Sequence, residues 1–121
     1  MISRRILIAD DNALIRQKLR SLLQNENLEV CAEAADGREA IEKTRQCRPD
    51  LIILNLSMPE MSGWEALPGL LAVDPEVKIL IFSVDDSDAL RAEALRRGAK
   101  GFVNKSDTAE VLRAEIHRLL G

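Results

Sequence analysis

Short apolar segments of strand character alternate with amphipathic segments along the chain. The strand-like segments are Ile6–Ala9, Leu28–Ala32, Leu51–Leu54, Val77–Phe82 and Gly101–Val103. Between them, stretches of roughly 10 to 15 residues repeat apolar positions with the helical period. The third strand-like segment is apolar at every position, which is typical of a strand buried on both faces. The pattern predicts βα units, and therefore an α/β domain with one parallel sheet covered by helices on both faces.

Polar residues mark where several of the predicted helices begin and end. The second helix is predicted to open at Asp36, with Glu39 three residues later in a capping-box arrangement. The last helix is predicted to open at Asp107, with Glu110 in the same relation. Gly98 follows two arginines and is expected to end the fourth helix, because glycine readily adopts the backbone conformation found after a helix.

One predicted helix contains a proline. This third helix should run from Trp64 to about Val73, and Pro68 lies inside it. Proline lacks a backbone donor and clashes with the preceding turn. We therefore expect this helix to start late or to be kinked.

Length and composition describe one ordinary globular domain. The 121 residues are 46% hydrophobic and 31% charged, typical of a folded chain with a core of its own. Only Trp64, Phe82 and Phe102 are aromatic, whereas a base-stacking platform needs several rings. The net charge of -3 has the wrong sign for a domain that holds nucleic-acid phosphates. We expect no direct nucleic-acid binding.

Cysteine use and hydropathy indicate the compartment. Cys31 and Cys47 form no CxxC pair, so we expect two thiols packed in or near the core rather than a redox or zinc site. No apolar segment approaches the roughly 20 residues of a membrane span. The chain opens directly into its first strand, which leaves no room for a signal peptide. We expect a cytoplasmic protein without a membrane partner.

The candidate chemistry lies directly after the strands. In an open parallel sheet, ligands bind at the carboxyl ends of the strands, where the strand order reverses. Four of the predicted strands end in polar residues, namely Asp10 and Asp11, Asn55, Ser83, and Lys105 after Asn104. Glu33 ends the second strand and is expected away from this point. Two carboxylates, an amide, a hydroxyl and an ammonium are thus predicted to converge on one edge.

These side chains suit a cation and a phosphoryl group. Adjacent carboxylates repel each other unless a cation lies between them, and hard oxygen ligands suit Mg²⁺. The alternative for Asp10 and Asp11 is capping of a helix spanning Asn12 to Gln24. The alternative for Lys105 is a solvated loop residue. The combination at one sheet edge is more specific than any single position.

The sequence resembles the receiver domain of two-component response regulators, and is similar to the single-domain chemotaxis type. The match covers essentially the whole chain through the segments Ile6–Asp11, Pro49–Leu54, Met58–Gly63, Ile79–Ser83 and Gly98–Lys105. The resemblance implies a flavodoxin-like, doubly wound parallel sheet of five strands in the order 2-1-3-4-5. It implies one receiver domain over residues 1–121, with no output domain in this chain.

The resemblance also assigns roles to site residues. Asp11 would ligate Mg²⁺ directly, Asp10 mainly through water, and the carbonyl of Ser57 would be a further ligand beside position 55. Ser83 would be the hydroxyl that moves toward the phosphoryl group and Lys105 its counter-ion.

Two further positions concern the switch and the loop after the lysine. Phe102 would be the aromatic switch residue, which turns inward on activation; its other interpretation is a core residue of an edge strand. Ser106 stands where many receivers have a proline after the lysine, so we expect a trans peptide bond or an unusual loop there.

Asn55 departs from the family pattern at the position of the phosphoacceptor aspartate. An amide is a far weaker nucleophile than a carboxylate and cannot form the acyl-phosphate, so transfer from a histidine kinase should be blocked. The loss of one negative charge should also weaken Mg²⁺ binding. Two explanations stay open: a substitution introduced into an intact receiver, which the retained site favours, or a natural pseudo-receiver that binds partners without phosphorylation. We expect the chain in or near the inactive conformation.

The expected partners are a sensor histidine kinase and an output domain or partner protein. The second would bind the surface formed by the predicted fourth helix, fifth strand and fifth helix. Arginines make this surface basic, although a solvated helix face is the alternative for each of Arg91, Arg96, Arg97, Arg113 and Arg118.

Two other classes are disfavoured, and we expect no enzymatic activity. A phosphatase that forms an aspartyl-phosphate needs Asp-x-Asp after the first strand, whereas this chain has Asp10, Asp11 and Asn12 in succession. A flavin- or nucleotide-binding domain needs a phosphate-binding loop rich in glycine or hydroxyl residues at that place, and none follows the strand.

Overall fold

The computed structural model describes residues 3–24, 26–85 and 87–121, which form alternating strands and helices. In chain order the elements are β1 (Arg4–Ala9), α1 (Ala13–Leu23), β2 (Leu28–Ala34), α2 (Gly37–Cys47), β3 (Leu51–Leu54), α3 (Gly63–Val73), β4 (Lys78–Ser83), α4 (Asp88–Arg96), β5 (Gly101–Asn104) and α5 (Ala109–Leu120). The strands form one sheet in the order β2-β1-β3-β4-β5, and every neighbouring pair is parallel. The predicted fold class and strand order are confirmed.

β1, β2 and β5 extend slightly beyond their apolar segments, β4 is shifted by one residue, and β3 coincides with its segment. β1 begins at Arg4, β2 ends at Ala34, β4 runs from Lys78 to Ser83, and β5 ends at Asn104. Ladder hydrogen bonds join backbone groups, so pairing continues where the side chains become polar. The pairing of Ser83 with Asn104 in the β4–β5 register brings two polar strand ends to the same edge.

The core consists of two apolar layers, one on each face of the sheet. The strictly apolar β3 supplies both, since successive side chains of a strand point to opposite faces. Leu51 and Ile53 pack in the layer with α1 and α5, whereas Ile52 and Leu54 pack in the layer with α2, α3 and α4. All four are fully buried, as predicted for a central strand.

Most of the predicted helix ends are observed. The carboxylate of Asp36 caps α2 by accepting from the backbone N–H of Glu39 at 2.9 Å, and Gly98 follows α4 with a φ of 110°. The prediction for the last helix is wrong by one residue. Thr108 caps α5, because the carboxylate of Asp107 instead accepts from the backbone N–H of Asn104 at 3.0 Å.

The third helix does not start late, so the first of the two alternatives expected from Pro68 is wrong. It begins at Gly63 and continues through Pro68 to Val73. Ser62 and Glu65 form a complete capping box that fixes the first turn before the proline is reached. Pro68 therefore loses one hydrogen bond within a helix whose start is already anchored.

The two cysteines are partly buried free thiols, as expected. Burial, together with the neighbouring thiol of Cys47, raises the pKa of Cys31 to about 12. Cys31 is therefore protonated at neutral pH, which agrees with a packing role.

An ion-pair cluster fastens the edge strand β2 to α1. The carboxylate of Glu33 accepts from Arg16 Nε at 2.9 Å and from Arg20 Nε at 2.7 Å. Arg16 also donates to the backbone carbonyl of Asp10 at 2.7 Å. The side chain of Glu33 is thus turned toward α1, consistent with its expected place away from the polar edge.

Glu33→Gln should destabilise the protein at neutral pH and lose this effect in acid. Burial raises the pKa of Glu33, but the hydrogen bonds from Arg20 and Arg16 outweigh it and hold the pKa below the ordinary value of 4.5. A lowered pKa means that the ionised side chain stabilises the fold above pH 4.5, and that this stabilisation is lost as the pH falls through the lowered pKa. Urea denaturation at a series of pH values should show the difference between parent and variant shrinking over that range.

The matched control for this prediction is Glu29→Gln on the same strand. Glu29 forms one longer ion pair with Arg5, at 3.4 Å, and its side chain is more exposed than that of Glu33. An exposed pair contributes little to stability. An equal effect of the two variants at neutral pH would contradict the role given to Glu33.

Candidate functional site

The carboxyl edge of the sheet brings the predicted polar residues together. The backbone N–H of Asn55 donates to the carbonyl of Ala9 at 2.9 Å, which joins the ends of β3 and β1. The backbone N–H of Lys105 donates to the carbonyl of Ser83 at 2.9 Å, which joins the ends of β5 and β4. Asp10, Asn55 and Ser83 are buried, whereas Asp11 is exposed at the rim. The predicted convergence on one edge is therefore observed.

Lys105 forms an ion pair with the buried carboxylate of Asp10. Its Nζ lies 2.7 Å from Asp10 Oδ2, and only 15% of the lysine side chain and 2% of the aspartate side chain are exposed. The second oxygen, Asp10 Oδ1, accepts from the backbone N–H of Asn12 at 2.9 Å. A carboxylate buried to this degree is costly without a partner, so removal of Lys105 would leave an uncompensated buried charge at this edge.

Both simpler interpretations of these charged residues are wrong. Lys105 is not a solvated loop residue, because its ammonium is held against Asp10. Asp10 and Asp11 are not the caps of the first helix. Asn12 caps α1, since its side-chain oxygen accepts from the backbone N–H groups of Leu14 and Ile15 at 2.9 and 3.2 Å.

The side chain of Asn55 joins the other carboxylate to the loop after β3. Its Nδ2 donates to Asp11 Oδ1 at 3.2 Å and to the backbone carbonyl of Ser57 at 2.8 Å. The opposite orientation of the amide would place its oxygen against two other acceptors. The hydrogen-bonding partners therefore fix the orientation, with the NH₂ group toward Asp11 and Ser57.

The donor set of this pocket does not fit a divalent cation in the arrangement observed. The resemblance assigns Mg²⁺ to oxygens of Asp10, Asp11, Ser57 and position 55. Asp10 is paired with Lys105, and the Asp11 and Ser57 oxygens are both bound by the Asn55 NH₂ group. An N–H group cannot ligate a metal ion, and it lies between the two oxygens that would.

Ser83 and the segment after β4 line a cavity beside Asn55. Ser83 Oγ accepts from the backbone N–H of Asp85 at 3.2 Å. The cavity measures about 350 Å³ and is lined by Asn55, Ser57, Trp64, Ser83, Asp85 and Leu90, among others. The guanidinium of Arg97 lies 5.1 Å from the ring of Trp64. The one tryptophan of the chain thus borders both the candidate site and α4, a role that its sequence position did not indicate.

Phe102 is turned inward. Only 6% of the residue is exposed, and it packs in the core layer that α2, α3 and α4 share. The guanidinium of Arg91 lies 4.8 Å from the centre of the ring. By the resemblance, the inward position accompanies activation, so the inactive arrangement expected from Asn55 is not present at this residue.

The loop after Lys105 is held by Asn104. Its side-chain oxygen accepts from both the backbone N–H and the hydroxyl of Ser106, at 2.8 and 2.7 Å. The peptide bond between Lys105 and Ser106 is trans, as expected for a residue other than proline.

A parallel α/β sheet with an acidic pair, a hydroxyl and a lysine at its carboxyl edge is the arrangement of receiver domains, and Asn55 is the departure from it. The response regulator receiver domain family matches residues 6–117, and the chain belongs to this family. Receiver domains serve two-component signalling, and in general they bind Mg²⁺ and interact with kinases and with output or partner proteins.

Known proteins similar to this chain include chemotaxis proteins and a response regulator. Chemotaxis protein CheY of Thermotoga maritima is 38% identical over 104 residues, covering 86% of this chain and 87% of that protein. CheY of Bacillus subtilis is 34% identical over 119 residues, covering 98% and 99%. The crystal structure of a LuxR-family two-component response regulator from Aurantimonas sp. SI85-9A1 has a TM-score of 0.92 and 33% identity, covering 98% of this chain and 85% of that one.

Within the described residues, the helices are too short or too polar for any of them to cross a membrane.

Proposed function

We propose that this chain is a receiver domain that accepts no phosphoryl group at position 55 and binds partners independently of phosphorylation. The observation that carries the proposal is the identity and setting of Asn55, an amide at the end of the buried β3 with its nitrogen bound to Asp11 and Ser57. An amide has no carboxylate oxygen to attack phosphorus. The site therefore lacks the group that the family chemistry requires.

The partner surface in this proposal is formed by α4, β5 and α5. The inward position of Phe102 supports it, because the resemblance links that position to activation. Leu95 of α4 and Val111 of α5 are exposed apolar residues on these helices. A histidine kinase and an output domain or partner protein are the proposed partners, and the cytoplasm is the proposed location.

The charge of this surface is mixed rather than purely basic. Glu93 forms ion pairs with Arg96 and Arg97, and Glu115 pairs with Arg118 at 2.8 Å. These pairs cancel much of the positive charge that the arginines give to the two helices. A partner would therefore meet apolar side chains between ion pairs.

A second candidate is an intact receiver frozen by a substitution at position 55. The arrangement of the other site residues favours it, since Asp10, Asp11, Ser83 and Lys105 all stand at the carboxyl edge. Both candidates predict that the parent chain is not phosphorylated. They differ in whether the parent binds partners and in what an aspartate at position 55 would do.

The parent chain should gain no phosphoryl group when incubated with Mg²⁺ and acetyl phosphate. The physical reason is that no carboxylate stands at the end of β3. Intact mass spectrometry checks this directly, with an established receiver domain labelled in parallel as the control. A parent chain that gains one phosphoryl mass would overturn the proposal.

A further inference from the structure

We propose that the side-chain NH₂ group of Asn55 acts as a built-in replacement for the divalent cation of a receiver domain. Its two N–H groups hold together the carboxylate of Asp11 and the backbone carbonyl of Ser57. The inference rests on the proposed function, because it concerns the same departure at position 55. It goes further by stating that the pocket neither needs nor admits the ion.

The geometry matches each donor with one acceptor. An amide NH₂ group has two N–H bonds, and the two acceptors lie 3.2 Å and 2.8 Å from the nitrogen. Asn55 is only 8% exposed, so water has little access to compete for these bonds. The amide therefore joins the same two oxygens that the resemblance gives to the metal ion.

Each carboxylate of the pocket has a partner without an ion, and one net negative charge remains, on Asp11. The ammonium of Lys105 pairs with Asp10 at 2.7 Å, and the amide donates to Asp11, whose side chain reaches solvent at the rim. An aspartate at position 55 would put a third carboxylate against these two, and like charges at such distances require a cation. Asparagine removes that repulsion and fills the space between the ligand oxygens.

The bond to Ser57 also orders the loop between β3 and α3. This loop leads to Ser62, whose capping box starts α3, and Trp64 in the first turn borders the cavity beside Asn55. A change in the pocket should therefore reach the one tryptophan of the chain. Its fluorescence is a readout of the pocket that does not depend on phosphorylation.

The test is a titration of the full chain with Mg²⁺ alone, followed by Trp64 fluorescence and by the melting temperature. Three proteins are compared: the parent, Asn55→Asp and Asn55→Ala. The alanine variant has the same charge as the parent but lacks the NH₂ group. It therefore separates two possible reasons for weak Mg²⁺ binding by the parent: the NH₂ group that occupies the space between the ligand oxygens, and the absence of a carboxylate at position 55.

We expect the parent to show no saturable response at millimolar Mg²⁺. Asn55→Asp should bind the ion most tightly and should gain melting temperature on its addition, since a ligand of the folded state stabilises it. Asn55→Ala should bind with intermediate affinity, at least about tenfold tighter than the parent. Equal affinity of the alanine variant and the parent would mean that charge alone excludes the ion, and would overturn the proposal.

A measurement on the parent alone tests the proposal even if one of the variants does not fold. The side-chain NH₂ protons of Asn55 should appear in ¹⁵N-correlated NMR spectra as slowly exchanging signals that Mg²⁺ does not shift. Fast exchange, or a saturable shift on addition of Mg²⁺, would overturn the proposal. Phosphoryl labelling of the parent would contradict the proposed function instead, and the titration would still decide whether the amide replaces the cation.

Discussion

We expect Asn55→Asp to gain one phosphoryl group from acetyl phosphate in the presence of Mg²⁺, whereas the parent chain should gain none. The substitution places a carboxylate at the end of β3, on the buried edge that also holds Ser83 and Lys105. A carboxylate oxygen can attack the phosphorus atom, form the acyl-phosphate and release acetate. The amide of Asn55 cannot, so the expected difference between the two proteins is all or none.

Two controls show that the label is on position 55 and that the site works as a unit. Asn55→Ala should stay unlabelled, because it supplies no carboxylate. The double variant Asn55→Asp/Lys105→Met should be labelled much more slowly than Asn55→Asp. The second substitution removes the ammonium that pairs with Asp10 in the parent and that would bind the oxygens of the phosphoryl group. Absence of label on Asn55→Asp would point to the pseudo-receiver, a site that has departed from phosphorylation at more than one residue.

The fold was predictable to a large extent because the strands differ so clearly from the helices. β3 is apolar at all four positions and serves both layers of the core, as expected of a short central strand. The strand order came from the resemblance. Helix starts were predicted less well, because the choice between Asp107 and Thr108 depends on whether a carboxylate is already bonded elsewhere, here to the backbone of Asn104.

The composition of the candidate site could also be predicted, but not its internal bonds. Parallel strands end at the same edge, which is sufficient to bring Asp10, Asn55 and Lys105 together. The sequence does not predict which hydrogen-bond or ion-pair partner each polar side chain of the site has. That Lys105 binds Asp10 while Asn55 binds Asp11 and Ser57 depends on loop positions of a few ångströms. The inward position of Phe102 is likewise a property of packing against α4, not of the local sequence.

A residue without a side chain makes the approach of α3 to the end of β3 possible. Gly63 is the first residue of α3, and its backbone N–H donates to the carbonyl of Leu56 at 3.0 Å. A Cβ atom at this position would lie 2.1 Å from the carbonyl oxygen of Asn55 and 3.0 Å from the Cα of Leu56. These are backbone atoms at the end of a buried strand, so they cannot move aside as a flexible side chain would.

Gly63→Ala should therefore destabilise the protein by about 3 kcal/mol and displace Asn55 from Asp11 and Ser57. Gly69→Ala in the same helix is the matched control: its Cβ would meet only the side chain of Ile41, at 2.6 Å from the terminal methyl. The helix propensity of alanine, about 1 kcal/mol better than that of glycine, should offset a shift of that side chain. Urea denaturation of the two variants measures the difference in the free energy of unfolding. Similar losses of stability would mean that the backbone contact at Asn55 does not set how closely α3 approaches the site.

In the Asn55→Asp background, Gly63→Ala should also lower phosphoryl labelling while Gly69→Ala leaves it intact, because only the first substitution moves the end of β3.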